Sequence, residues 1–219
     1  MAEQQLRQQL VAVARRMNAS GINQGTSGNL SLRMEGGMLI TPSSLPYEQM
    51  QPEDLVALDL AGQPLEPAAA GRRPSSEWRL HADILASRPE ITAVLHCHSI
   101  HATALACHGR AIPPFHYMTA VAGGDDIRCA PYATFGTPEL SQRAVQALEG
   151  RLACLLAQHG QVALGRSLDQ ALRIAIEVDT LAQMYLQALQ LGEPPLLSAA
   201  QMAAVHQQFS SLLYGAAAD

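Results

Sequence analysis

The chain contains no lysine: all 14 basic side chains in its 219 residues are arginines. Imine-forming aldolases, pyridoxal-phosphate enzymes and Walker A nucleotide loops each need an ε-amine at the site, so none of them fits. Arginine stays protonated at neutral pH and does not take over that role. Charge of either sign is scarce, at 15% of residues, and the net charge of −5 leaves no basic footprint for nucleic acid. No apolar run approaches the roughly 18 residues of a membrane span. The polar opening MAEQQLRQQL lacks the basic-then-apolar pattern of a signal peptide. Cys97, Cys107, Cys129 and Cys154 lie too far apart for a CxxC site and read as free thiols of a cytoplasmic protein. Any chemistry must therefore come from histidine, carboxylate, tyrosine, cysteine or a metal.

Apolar residues make up 48% of the chain, 36 of them alanine, so so weakly charged a surface points to cover by other subunits. Residues 1–219 suit a single domain with no internal repeat. Leu6, Leu10, Val13, Ala14 and Met17 recur at helical spacing over residues 3–19, before Asn18, Ser20 and Gly21 stop the helix. Leu30–Arg33 alternates as a strand, Gly36-Gly37 turns it into Met38–Thr41, and Leu55–Leu60 reads as another strand. A loop over 61–74 precedes a helix near Ser75 and Ser76 that carries Trp78, His81 and Leu85. Strands are predicted at Thr92–Ser99, Arg151–Ala157 and Val162–Leu164, and helices at Ile100–His108, 137–149 and Ser167–Gln190. Thr137 and Ser167 are the expected caps, the second with Gln170 in a capping box. Without a regular βαβ rhythm, the pattern favours a mixed or antiparallel sheet with helices on its faces.

Five of the eight histidines fall between positions 96 and 116. In His96-Cys97-His98 the two imidazoles share one face of a strand while Cys97 faces away, a common metal-ligand arrangement. Such a pair also occurs as two ordinary hydrogen-bonded histidines, but the apolar run Thr92–Leu95 places this one where unliganded imidazoles are costly. His159, closing another apolar strand, and Glu77, at a helix start, are candidate third and fourth ligands. Asn29, Thr41, Ser43, Ser44, Ser75 and Ser76 stand at strand ends or a helix start, where amides and hydroxyls hold a phosphate without lysine. Serines in such places are also ordinary caps and turns.

Taken in order, the motifs resemble the class II aldolase/adducin family. They are Gly21-Ile22-Asn23-Gln24-Gly25-Thr26-Ser27-Gly28-Asn29, Ile40-Thr41-Pro42-Ser43, Pro46-Tyr47, Pro74-Ser75-Ser76-Glu77-Trp78, His96-x-His98 and Pro113-x-x-His116-Tyr117, then Gly123-Gly124, Tyr132-x-x-Phe135-Gly136 and Gln158-His159-Gly160. The resemblance implies a three-layer α/β/α fold with a mixed, largely antiparallel sheet, assembled as a homotetramer. It implies a zinc ion, or another divalent ion such as Mn2+ or Co2+, on Glu77, His96, His98 and His159. The substrate phosphate then lies against Asn29, Ser43, Ser44, Ser75 and Ser76, with Glu77 also the base and Tyr117 at the aldehyde fragment. Tyr214 would reach a neighbouring subunit's site.

The implied reaction is cleavage of a 1-phosphorylated ketose to dihydroxyacetone phosphate and an aldehyde through a metal-stabilised enediolate. Fuculose 1-phosphate and the 5-deoxy and methylthio ketopentose 1-phosphates are the implied substrates. A methylthioribulose-1-phosphate dehydratase of the same fold and a non-catalytic adducin-like binding module are the alternatives. The family pattern has glycine where this chain has Ser44; if that position needs a positive φ, serine is strained by about 1 kcal/mol.

Overall fold

The computed structural model describes residues 3–67 and 71–212. Helix α1 (Glu3–Ala19) is followed by the hairpin β1 (Asn29–Met34) and β2 (Gly37–Ile40), and by β3 (Val56–Leu58). Helix α2 (Trp78–Ser87), β4 (Ala93–Cys97) and α3 (Ile100–Cys107) form the middle of the chain. A 3-10 segment at Tyr117–Ala122 then leads to β5 (Cys129–Ala130), α4 (Pro138–Ala147), β6 (Ala153–Leu156), β7 (Gly160–Gly165), α5 (Leu168–Leu189) and α6 (Ala199–Ser211).

The seven strands make one sheet in the order β3-β2-β1-β4-β7-β6-β5, antiparallel everywhere except the β5–β6 pair. Each face carries its own core. Leu95, Cys97, Leu30, Leu32, Leu155 and Ala163 pack beneath α1, α3 and α5. Val94, Val162, Leu164, Cys154 and Leu156 pack with α2 and α4. The two-residue period of the strands thus assigns every side chain to a layer. The expected three-layer α/β/α arrangement with a mixed, largely antiparallel sheet is what the chain adopts.

The strand ends are where sequence and structure differ. β4 stops at Cys97, so His98 lies just beyond the strand, and β3 covers Val56–Leu58 rather than Leu55–Leu60. β7 begins two residues early, at Gly160, because it pairs with β6 from Leu156 and with the whole of β4 from Gln161. Thr137 caps α4 and Ser167 caps α5 as expected. The reciprocal half of the Ser167 box is displaced, since Gln170 Oε1 accepts from the Arg166 amide, 2.7 Å away. Helix α6, with its Ser198–Gln201 capping box, was not anticipated; it buries Met202 alone and so shows no apolar stripe. The four cysteines are free thiols. Among the described residues no helix is long and apolar enough to cross a membrane.

Candidate active site

His96 lies in β4, the central strand, and is fully buried. Its Nδ1–H donates to the Gln161 carbonyl of β7 over 2.9 Å, which fixes the ring and leaves Nε2 as a bare lone pair. His98 faces the same side, and its Nε2 lies 3.1 Å from His96 Nε2. His159 enters from the β6–β7 turn because Gln158 holds a left-handed backbone, φ 52°, that redirects the chain. The three rings stand edge to face with centroids 4.7 to 5.0 Å apart, and one ligating atom of each falls within 4.8 Å of the others.

Glu77 closes the group from α2. It occupies the helix N-cap position, yet its side chain makes no capping bond. Instead Oε2 lies 3.2 Å from His96 Nε2 and Oε1 lies 3.3 Å from His159 Nε2. Oε2 accepts from Asn29 Nδ2 at 2.9 Å, whereas Oε1 is buried with no hydrogen-bond partner. Lone pairs thus converge on one point. Three imidazoles and a carboxylate around such a point fit a divalent cation, and the orphaned Oε1 is the atom it would satisfy.

The electrostatics keep these groups in ligating form. Burial pushes the imidazoles of His96 and His98 below their ordinary range, and burial with the neighbouring His96 takes His159 down to about 4. Burial raises the Glu77 carboxyl, but the facing His96 and His159 and the Asn29 amide outweigh it, so its pKa ends below the usual value. At neutral pH the carboxylate is ionised and the rings are neutral, the states a metal requires.

A cavity of about 320 Å³ opens over this group, lined by Ser27, Ser76, Glu77, His98, Tyr132, Ala133, Phe135, Gln158 and His159. The predicted phosphate loops are brought side by side at one end of the sheet. Pro42 bridges Pro74, Ser43 N–H donates to the Arg73 carbonyl at 2.9 Å, and Ser75 N–H donates to the Thr41 carbonyl at 3.0 Å. Ser43, Ser44 and Ser76 are exposed there and Ser75 is buried. The Ser43 and Ser44 hydroxyls lie 3.4 Å apart. Ser44 has φ 60°, so the position does require a left-handed backbone. Tyr47, buried beneath this loop, donates its hydroxyl to the Gly28 carbonyl and ties the residue before Asn29 in place.

Asn29 is placed deeper than the serines. It is buried, its amide donates to Glu77 and its Oδ1 faces His81, so both polar atoms of the side chain are engaged within the protein. Tyr117 does not line the cavity. It is 49% exposed and, with Val205, Gln208, Phe209 and Leu212, borders a separate depression of about 220 Å³. Tyr214 lies outside the described residues. The sequence does not reveal that His81 meets Asn29 and Ser31 beside this group, because a lone histidine on the buried face of a helix carries no motif. The rim residues Ser27, Tyr132, Phe135 and Gln158 were legible only as parts of motifs.

Comparison with known proteins follows the same lines. Residues 8–186 match the family described as Class II Aldolase and Adducin N-terminal domain. A 5-methylthioribulose-1-phosphate/5-deoxyribulose-1-phosphate aldolase of Rhodospirillum rubrum is 51% identical over 94% of this chain and 91% of its own. An L-fuculose phosphate aldolase of Escherichia coli is 45% identical over 96% of this chain and 97% of its own. A solved L-fuculose 1-phosphate aldolase superposes with a TM-score of 0.88 at 38% identity, covering 93% of this chain and 95% of the other.

Proposed function

Because the chain belongs to the class II aldolase and adducin family and is one of its metal-dependent aldolases, we propose that it cleaves a 1-phosphorylated ketose to dihydroxyacetone phosphate and an aldehyde. The observation that carries this reading is Glu77 Oε1, a buried carboxylate oxygen without a hydrogen-bond partner, set among three imidazoles on the wall of an open cavity. Glu77, His96, His98 and His159 would hold the ion, and we assign it as zinc from the mixed nitrogen and oxygen donors. Held there, such an ion would supply the positive charge that takes up the electrons released by carbon–carbon cleavage, a role lysine fills in imine-forming aldolases.

The residues divide the remaining work. The exposed hydroxyls of Ser43, Ser44 and Ser76, with the buried Ser75 between the two loops, take the phosphate, with Asn29 beneath them and Arg73 in the adjoining segment as a cation. Retro-aldol cleavage removes the proton of the C4 hydroxyl and delivers one to C3. The ionised Glu77 carboxylate is the group positioned to accept and return it. Tyr117, remote from the cavity of its own chain, serves the aldehyde fragment only across a subunit boundary, so an oligomer, a tetramer in this reading, belongs to the same proposal. Tyr214 would act from the same side. The cytoplasm is the compartment in which four free thiols stay reduced.

For the sugar, we favour a ketopentose 1-phosphate with an apolar C5, either 5-deoxy or methylthio. The relative with 51% identity is named for these, and the rim aromatics Tyr132 and Phe135, 55 and 62% exposed, offer apolar surface to such an aldehyde. The test is to incubate zinc-loaded protein with 5-deoxyribulose 1-phosphate, methylthioribulose 1-phosphate and fuculose 1-phosphate. Glycerol-phosphate dehydrogenase then reports dihydroxyacetone phosphate. Turnover of the first two above fuculose 1-phosphate is expected. No triose phosphate from any of them, in protein carrying stoichiometric metal, overturns the reading, and loss of water without cleavage identifies a dehydratase.

A further inference from the structure

His81, on α2, is fully buried beside the candidate metal group, and both its ring nitrogens are engaged. Nδ1 lies 2.7 Å from Ser31 Oγ and Nε2 lies 2.5 Å from Asn29 Oδ1, both residues of β1. The direction of each bond follows from its far end. A carboxylate only accepts, so Asn29 must turn its Nδ2–H to Glu77 Oε2, 2.9 Å away. That turns the Asn29 oxygen to His81, and an oxygen accepts, so His81 Nε2 carries the hydrogen. A neutral ring then has a bare Nδ1, which accepts from the Ser31 hydroxyl. Every donor in the series Ser31, His81, Asn29 points toward Glu77.

The consequence falls on the two oxygens of one carboxylate. Oε2 accepts from Asn29, while Oε1 is buried and receives no hydrogen bond. We infer that His81 is a positioning residue for Glu77: acting through Asn29, it pins Oε2 and reserves Oε1 as the oxygen that meets the metal or the substrate proton. Without the His81 donor, the Asn29 amide can rotate by half a turn and present its oxygen to the carboxylate, which repels it and frees both oxygens to rotate. The inference rests on Glu77 acting as proposed above, and adds which of its atoms acts and what holds that atom in place. An imidazole suits this task because it is rigid and carries one donor and one acceptor on opposite edges, spanning from Ser31 to Asn29.

The experiment has two arms that do not depend on turnover. Nitrogen–proton correlation spectra of the 15N-histidine protein read the ring tautomer directly. His81 is expected as a neutral ring with its hydrogen on Nε2; a hydrogen on Nδ1 overturns the inference. The second arm measures Zn2+ affinity by chelator competition, and the Co2+ absorption spectrum, in wild type, His81→Leu and His81→Gln. His81→Leu is expected to bind 10–100-fold more weakly with an altered cobalt spectrum. His81→Gln, which keeps a donor for Asn29, is expected to recover most of that loss. A folded His81→Leu protein with wild-type affinity and spectrum overturns the inference, and so does a His81→Gln protein that folds yet binds no better than His81→Leu. Should His81→Leu not fold, the wild-type tautomer and His81→Gln decide the matter. If the wild-type protein cleaves no ketose phosphate, the proposed reaction fails, while both arms still judge His81.

Discussion

His96 Nε2 and His98 Nε2 stand 3.1 Å apart, although the second ring lies beyond the end of the strand that carries the first. The Gln161 carbonyl holds the hydrogen of His96 on Nδ1, so its Nε2 turns a lone pair on its neighbour. Two such atoms, with Glu77 Oε2 3.2 Å from the first, are mutually repulsive unless a cation or a proton lies among them. The geometry is one that could hold a metal ion.

Removing one ligand should abolish it. His96→Ala and His159→Ala are expected to lose stoichiometric zinc, a deficit larger than the 10–100-fold typical of outer partners. Glu77→Gln, which keeps the shape and one oxygen, is expected to lose at least 100-fold in kcat while holding more metal than either histidine variant. Metal content by atomic absorption and kcat on the same samples check both. Full occupancy in either alanine variant would falsify the ligand set.

What was readable beforehand, and what was not, follows from the range of each interaction. Local periodicity placed α1 at its observed bounds and put His96 and His98 on one face, because those depend on residues a few positions apart. The left-handed position was flagged at Ser44 by its departure from a glycine pattern, whereas nothing local marked Gln158, whose φ of 52° is imposed by the β6–β7 turn. The place of Asn29 at a strand end predicts a phosphate contact but not the bonds of its side-chain atoms to Glu77 and His81, 48 and 52 residues away in sequence. Only β1 packed against α2 brings those three together. Helix α6 stayed hidden because it buries little and so has no strong apolar period.

Gly160 offers a test of how tightly the β4–β7 contact sets His98. A Cβ at this position would lie 2.5 Å from the Cys97 carbonyl oxygen and 2.8 Å from His98 Cδ2. The carbonyl belongs to the central strand and cannot withdraw, so either the strands part or the ring moves. Gly160→Ala is expected to destabilise the protein by about 2–4 kcal/mol, measured by urea unfolding, and to weaken zinc binding in the molecules that fold. Unchanged stability together with unchanged affinity would show that the contact is slack.

Ser44 makes the opposite prediction. A left-handed conformation costs a residue with a Cβ about 1–2 kcal/mol. Ser44→Gly removes that strain and gives back about 0.4–1 kcal/mol in unfolded-chain entropy, for a net gain of roughly 0.5–1 kcal/mol. The urea midpoint should therefore rise. If Ser44 also contacts the phosphate, KM for the ketose phosphate rises in the same variant while kcat changes little. A lower midpoint would mean that the hydroxyl contributes more than the strain removes.

The buried histidines give the metal-free protein a defined response to acid. Burial, reinforced by the neighbouring His96, lowers His81 to about 3, and burial first, then His96, lowers His159 to about 4, from an ordinary 6.5. The unfolded chain therefore binds protons on these rings below pH 6.5 while the folded chain does not, and stability must fall as the solution is acidified. The depressed Glu77 carboxyl acts in the same sense at lower pH, since its folded form also resists protonation. Between pH 7 and pH 5 each ring contributes about 2 kcal/mol, so the pair lowers Tm by roughly 8–16 °C for a chain of this size. Calorimetry of chelator-treated protein should show at least that fall, since the depressed His96 and His98 act in the same sense, and His81→Gln should remove the His81 share of it. Zinc at saturation raises Tm at pH 7 and loses hold as protons compete for the same nitrogens, so the difference between loaded and stripped protein narrows toward pH 5. A Tm independent of pH across this window would mean that the rings are solvated and chargeable in the folded state, and the convergent, neutral donor set would go with them.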